Sequence, residues 1–444
     1  MKNNFNKSDR IQDPPEFAVK FSNSIFLLGI AFSALFAIYT VNKIYHPPEP
    51  VTLRFYFICL IFSGFIAILF GFGLRLNNNL KVNLAILVLT TSIAVYGFEI
   101  YLEFAGKIIL PDDMRTKMEV LEDLKASGIK AFPSVSPNLF IATDGLSVDN
   151  EIIYPFGGIS GVPTIGVNES GYYPIMKIDE YGFNNPKGLY KKNRVDIILT
   201  GDSYTEGPTV HSYETIGAVL RQIGYNAISI GKSGNGPLLE LAALKEYAEP
   251  FEPTIVMWLY YEHNDMENLR VEMSSSVLRK YLHNNKFSQN LISKQIIIDS
   301  LLINYTQETR KKKPITKGIS FLWANSIMKL SNLRARINLM PTQASLSEQK
   351  FETFKNILGK SKIMVSEWNG TMYFVYLPAF GKYSIGKEHI YRETVLRTVK
   401  DLDISVIDIN RSVFQSHPDP LSLFPYRKIG HYNSEGYRLV AETI

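Results

Sequence analysis

Three stretches in the first hundred residues carry no charge at all: Ser24–Asn42 (SIFLLGIAFSALFAIYTVN), Phe55–Leu74 (FYFICLIFSGFIAILFGFGL) and Val82–Phe98 (VNLAILVLTTSIAVYGF). A helix of roughly 20 apolar residues crosses a bilayer. The first two stretches reach that length. The third is shorter, and Tyr96, Phe98 and Tyr101 extend it as interfacial aromatics. Three buried core helices are the competing reading, but a water-soluble helix carries a polar face and these have none. A cleaved signal peptide fits poorly, because a long tail precedes the first stretch and a second follows at once. Three membrane spans are therefore expected.

Lys and Arg set the orientation. The tail carries Lys2, Lys7, Arg10 and Lys20, and the loop between the second and third spans carries Arg75 and Lys81. Both belong on the cytoplasmic side. The loop with Pro47, Pro48 and Pro50 then faces out, as does everything after about residue 105. That side is the periplasm if the source is bacterial. The one cysteine, Cys59, sits in the second span, where it reads as a small apolar filler. A single Cys excludes an intrachain disulfide and a Cys-ligated zinc ribbon. A net charge of +5 spread over both signs does not point to nucleic acid.

The remainder reads as an α/β domain. Short apolar runs rich in β-branched residues predict buried parallel strands at Val195–Leu199, Ala227–Ile230, Thr254–Tyr260, Thr371–Leu377 and Ser405–Ile409. Helical patterns lie between several of them, with Ile216, Val219, Leu220 and Ile223 on one face of the first. Strands alternating with helices predict a doubly wound sheet. The expected organisation is a cytoplasmic tail (1–23), three spans (24–104), an irregular lead-in rich in Gly, Pro and Asn (105–190), and the α/β domain (191–444). A polar, mostly helical insertion (266–365) interrupts the sheet after its third strand. The basic run Arg310–Lys313 inside it reads as a solvated loop before a polyanion site.

Four segments could carry chemistry. Gly201-Asp202-Ser203-Tyr204-Thr205-Glu206-Gly207 follows the first strand, where open α/β sheets bind ligands. Ser203 is the candidate nucleophile, although a capped turn would look the same. Ser229-Ile230-Gly231-Lys232-Ser233-Gly234-Asn235-Gly236-Pro237 follows the second strand. It could be a phosphate loop, but its lysine precedes the last two glycines, the reverse of the nucleotide-binding order. Tyr261-Glu262-His263-Asn264-Asp265 ends the third strand, where an Asn amide could donate into the same cleft or simply mark a turn. His431-Tyr432-Asn433-Ser434-Glu435-Gly436-Tyr437 opens the last helix and would hold His431 at the cleft rim. A metal site from Asp202, His263, Asp265 and His431 is conceivable, but the spacing is irregular.

Taken together, these blocks resemble the SGNH (GDSL-like) hydrolase superfamily, whose signature is Ser, Gly, Asn and His in order. The matching residues are Ser203, Gly234, Asn264 and His431, spread over some 250 residues in the expected strand positions. The stretch Asp179-Glu180-Tyr181-Gly182-Phe183-Asn184-Asn185-Pro186 also looks like the lead-in of members found in cell-surface polysaccharide modification. The resemblance implies a flavodoxin-like parallel sheet and a Ser203/His431 catalytic pair that needs no cofactor or metal. It also implies an oxyanion hole from the Ser203 and Gly234 amides and the Asn264 side chain. One departure stands out: where the family usually has an Asp three residues before the His, this chain has Lys428. Asp419 is the first candidate for the orienting acid, and a backbone carbonyl the second. Lys428 is expected to point away from the cleft.

The expected function is a membrane-anchored serine esterase acting on O-acyl, chiefly O-acetyl, esters of extracytoplasmic carbohydrate. The alternatives are an O-acyltransferase on surface polysaccharide, which would need an acyl-donor partner protein, and a non-catalytic carbohydrate-binding or assembly protein on a decayed scaffold.

Overall fold

Uninterrupted apolar sequence gives three long helices: α1 (Glu16–Tyr45), α2 (Leu53–Gly73) and α3 (Asn78–Ala105). In this computed structural model the described residues are 13–46, 53–105, 112–149, 151–192, 194–311, 327–337, 348–386 and 388–444. Lys2, Lys7, Arg10, Pro47, Pro48, Pro50, Lys312 and Lys313 lie outside them. The helices are long and apolar enough to cross a membrane. At about 1.5 Å per residue even α2 spans roughly 30 Å, the thickness of a hydrocarbon core. The third helix is longer than its apolar run because Asn78 to Lys81 and Glu99 to Ala105 extend it at both ends. Hydroxyl side chains inside the helices bond to their own backbone. Ser22, Ser33 and Thr40 each donate to the carbonyl four residues back, at 2.7, 2.9 and 2.7 Å. Hydrocarbon supplies no partner, so this local satisfaction lets them stay. Helices α1 and α2 pack through small residues. The Phe70 ring occupies the space a side chain at Gly29 would need, and the Phe26 ring faces Gly73.

The chain divides into two compact units, residues 1–108 with 315–346, and residues 109–314 with 347–444. This differs from the organisation read from the sequence. Part of the insertion groups with the spans. The fully buried Glu99 of α3 accepts the backbone N–H groups of Asn332 and Leu333, both at 2.8 Å, and the Asn332 side-chain amide at 3.0 Å. Those backbone donors open the short helix Ser331–Arg336, so Glu99 serves as its cap. The lead-in, by contrast, belongs to the sheet unit, for reasons given below.

The second unit is built on a five-stranded, all-parallel sheet: β1 (Ile197–Gly201), β2 (Ala227–Ser229), β3 (Ile255–Tyr261), β4 (Thr371–Leu377) and β5 (Ser405–Asp408). Their order is β2-β1-β3-β4-β5, the flavodoxin-like doubly wound arrangement. Every residue of β1 is buried, as are the five central residues of β3. Helices on both faces cover such a sheet, and its strands therefore read as continuous apolar runs. β1 extends two residues beyond its apolar run, because Gly201 still pairs with Leu259 of β3. The chain leaves β1 for β2 on one side and returns to β3 on the other. A crevice therefore opens between the C-terminal ends of β1 and β3, the switch point where such sheets bind ligands.

The insertion is mostly helical among its described residues, with Asp265–Glu272, Ser276–His283, Gln295–Lys311 and Glu348–Glu367 the main helices. The lead-in has little regular structure beyond the helix Lys117–Ala126, which is closed by a Thr116/Glu119 capping box. It is tied to the sheet by side chains. The buried carboxylate of Asp179 accepts the N–H groups of Tyr181 and Phe183 and the Asn185 amide. Asn185 in turn bonds both backbone groups of Ser229 at the end of β2, at 2.8 and 3.0 Å. Asn184 donates to the Glu206 carbonyl at 2.8 Å. The Asp179–Pro186 stretch is thus tied by side chains to the last residue of β2 and to the turn after β1.

Candidate active site

β1 ends on Gly201, whose φ of +155° and near contact with Thr205 Oγ1 and Leu259 O leave no room for a Cβ. The chain then turns sharply into a four-residue helix, Ser203–Glu206. Asp202 caps it, taking the Tyr204 N–H on Oδ1 at 2.9 Å. Ser203 is thereby held at the first helical position, at the mouth of the switch-point crevice.

His431 reaches Ser203 from the other end of the domain. The last helix (Ser434–Thr443) is capped by Asn433, whose side chain accepts the Gly436 N–H and donates to Ser422 O. Tyr204 OH donates to the Gly430 carbonyl at 3.2 Å and its ring lies 4.8 Å from that of His431. These contacts fix the imidazole with Nε2 at 2.7 Å from Ser203 Oγ.

The group that orients the imidazole is Glu169, which the sequence reading did not identify. Its Oε1 lies 2.9 Å from His431 Nδ1, and its Oε2 accepts the His431 backbone N–H at 2.7 Å. Glu169 sits in the lead-in, on a loop pinned by Val167 N–H to Pro208 O at 2.8 Å and by Asn168 to Asp113 O and Gly171 N–H. Asp419, the expected acid, is not the partner. Both of its carboxylate oxygens are taken by the Arg427 guanidinium, and the pair is well exposed. The His431 nitrogens are bonded to Glu169 and Ser203 instead. Lys428 forms no hydrogen bond or ion pair with His431. No local spacing rule could have found Glu169, which lies 262 residues from its partner.

Electrostatics follow from this geometry. Burial pushes the His431 imidazolium down, but the Glu169 bond and charge, with Asp202 and Glu206 behind, outweigh it and leave its pKa above the ordinary value. Burial pushes Glu169 up, and the bonds and charge of His431 outweigh that and hold it below the usual carboxylate range. Asp202 is raised by burial, although the Tyr204 N–H and the Asn264 amide oppose the shift.

Of the other expected donors, Asn264 lies beside Ser203. Asn264, at the end of β3, donates Nδ2–H to Asp202 Oδ2 at 3.1 Å, and Ser203 Oγ lies 3.5 Å from the same oxygen. The sum of those distances is the largest separation the two can have. The second Nδ2 hydrogen remains for a ligand. Gly234 has φ +80°, and its N–H makes no hydrogen bond among the described residues. Asn138 of the lead-in packs directly over its Cα. The arrangement can deprotonate a serine hydroxyl and offer amide donors to a neighbouring oxyanion. Of the four candidate metal-ligating residues, Asp202, Asp265 and His431 bond to other groups and His263 is exposed on the surface. Both His431 nitrogens are used, and Asp265 accepts the Tyr261 N–H at 2.8 Å. Among the described residues no three His, Cys, Asp or Glu side chains converge as a metal site.

No protein-family model matches the chain, and no curated protein matches it. Among solved structures it is similar to a member of the lipolytic protein G-D-S-L family from Veillonella parvula, at 14% identity and a TM-score of 0.31, covering 56% of this chain and 94% of that one. It is also similar to an acetyl xylan esterase, at 12% identity and a TM-score of 0.31, covering 56% and 97%. A third likeness is to an alpha/beta hydrolase enzyme from the metagenome of Lake Arreo, Spain, at 13% identity and a TM-score of 0.30, covering 58% and 95%. The overlap is slight in each case, and the chemistry stands on the geometry of Ser203, His431 and Glu169.

Proposed function

We propose that the chain is a membrane-anchored serine esterase of the SGNH type. The observation that carries this reading is the continuous chain Ser203 Oγ, His431 Nε2, His431 Nδ1, Glu169 Oε1, with links of 2.7 and 2.9 Å across the ring. His431 takes the Ser203 proton as Oγ attacks an ester carbonyl, and then gives it to the departing alcohol. Glu169 holds the proton on Nδ1 and stabilises the imidazolium. The developing oxyanion is met by the Gly234 and Ser203 N–H groups and the free Nδ2 hydrogen of Asn264, each donor worth about 3–4 kcal/mol in the transition state. Water then attacks the acyl-enzyme, with His431 again the base. A carboxylate at His431 also removes the feature that favoured a non-catalytic scaffold, the missing acid beside Lys428.

O-acyl, chiefly O-acetyl, esters of extracytoplasmic carbohydrate are the proposed substrates. The support is the orientation implied by Arg75, between α2 and α3, and Lys81, in the first turn of α3, together with the three spans found among the described residues. Hydrolysis is preferred to transfer because three helices offer no route for an acyl donor without a partner protein. The test is labelling of the full-length chain in detergent by a fluorophosphonate probe, followed by acetate release from acetylated glycans, with Ser203→Ala as control. Labelling that survives Ser203→Ala, or none in the unmodified chain, would overturn the mechanism. A reporter fused after Ile444 that is active only in the cytoplasm would overturn the orientation.

A further inference from the structure

Glu206 and Lys232 form an ion pair that the mechanism above does not use. Glu206 is the last residue of the four-residue helix that Ser203 begins, so its carboxylate and the nucleophile move as one rigid turn. Its side chain is 0% exposed and that of Lys232 2%. Glu206 Oε1 accepts Lys232 Nζ at 2.5 Å, while Oε2 accepts the Ser233 N–H at 2.8 Å and the Ser233 hydroxyl as well. One carboxylate thus collects three donors from the two residues immediately before Gly234. Other anchors hold the loop after this point: Lys232 N–H to Gly201 O at 3.3 Å, Asn235 N–H to Lys232 O at 3.1 Å, Asn235 Nδ2 to Gly201 O at 3.5 Å, the Asn268 amide to Asn235 O at 2.9 Å and Gly236 N–H to Glu272 Oε1 at 2.5 Å, with Asn138 packed on Gly234.

A buried ion pair is a poor device for stability alone, because well-packed apolar residues often do as well or better. What it supplies is direction. The Gly234 N–H is a proposed oxyanion donor held by no hydrogen bond of its own, and donors of this kind act only where they are aimed before the charge develops. We infer that Glu206 and Lys232 are positioning residues that fix the Gly234 amide relative to Ser203. The inference rests on the esterase reading. Burial pushes the Glu206 carboxyl up, but the charge and bond of Lys232 and the bonds of Ser233 outweigh it and leave it below its ordinary value, so it is ionised and able to accept all three donors.

The test uses the full-length chain in detergent and three variants: Ser233→Ala, Ser233→Thr, and the double change Glu206→Gln with Lys232→Met. The double change removes both charges together, so neither is left buried alone. With the thermal midpoint retained, the double variant should lose roughly 10- to 100-fold in kcat with KM within about twofold. Binding of a boronic acid, which presents a tetrahedral oxyanion, should weaken by the same factor. Exchange of the Ser233 amide hydrogen should accelerate in parallel. Ser233→Ala should show the same pattern more weakly, and Ser233→Thr should restore it. A double variant that melts lower yet keeps kcat and boronate affinity within about twofold has lost only a structural pair, and the inference falls. So does a loss of kcat without loss of boronate affinity. An unmodified chain that neither hydrolyses esters nor labels overturns the esterase reading and this inference together, whereas the first two outcomes overturn this inference alone.

Discussion

Glu169→Gln is the sharpest perturbation the site allows, because the two side chains have the same shape. In the native site both Glu169 oxygens accept, one from the His431 backbone N–H at 2.7 Å and one from His431 Nδ1 at 2.9 Å. A glutamine has only one oxygen. The backbone N–H is always a donor, so the amide oxygen must turn to it, which leaves the NH2 group facing Nδ1. A donor there favours the tautomer with its proton on Nε2. That nitrogen, 2.7 Å from Ser203 Oγ, then cannot take the serine proton. Loss of a triad carboxylate by the same tautomer inversion costs on the order of 10⁴ in kcat in the worked serine-protease example, equivalent to about 5 kcal/mol of barrier. The expected result is a fall in kcat on a chromogenic acetate ester of roughly that size, with KM little changed and the thermal midpoint close to that of the unmodified chain. Fluorophosphonate labelling should slow in proportion. Glu169→Gln within about tenfold of the native rate would refute the tautomer argument and with it the role given to Glu169.

Asp419→Asn is expected to be nearly silent in activity. The Arg427 pair is exposed, and such pairs contribute about 0–1 kcal/mol, so a steep loss of turnover would return Asp419 to the site. Asn264→Ala should lower kcat by about 10²–10³, as for one oxyanion donor, measured on the same ester. The pH profile tests the His431 shift. The base must be neutral to act and its pKa is raised, so kcat/KM should climb with pH through a midpoint above the ordinary imidazole value of about 6.5. Glu169→Gln should move that limb down, because burial would then act on His431 without the carboxylate; a limb that stays in place argues that another group titrates.

The residue pattern alone determined the elements that depend on short-range physics. Continuous apolarity specified α1, α2 and α3, because a helix with no polar face has only lipid to meet. β-branched apolar runs specified β1 to β4, because strands buried on both faces admit little else, and the same composition marked the partly exposed edge strand β5. The strand ends then carried Ser203, Gly234 and Asn264, and the helix start carried His431, and the resemblance to the SGNH superfamily implied that they meet; Ser203, His431 and Asn264 do. Tertiary structure decided what depends on loops meeting across the fold. Glu169 lies in a lead-in with no periodicity, and its role arises only when the Pro208 carbonyl and the His431 loop close on it. Asp419 had the nearer sequence position, but Arg427 had already claimed both its oxygens. The grouping of residues 315–346 with the spans is of the same kind, since a polar helix is captured there by one buried carboxylate, Glu99. Hydrophobic periodicity is written in neighbouring residues and can be read from them. A hydrogen-bond partner needs only to be within about 3 Å in space, and nothing in the local sequence encodes which distant loop will supply it.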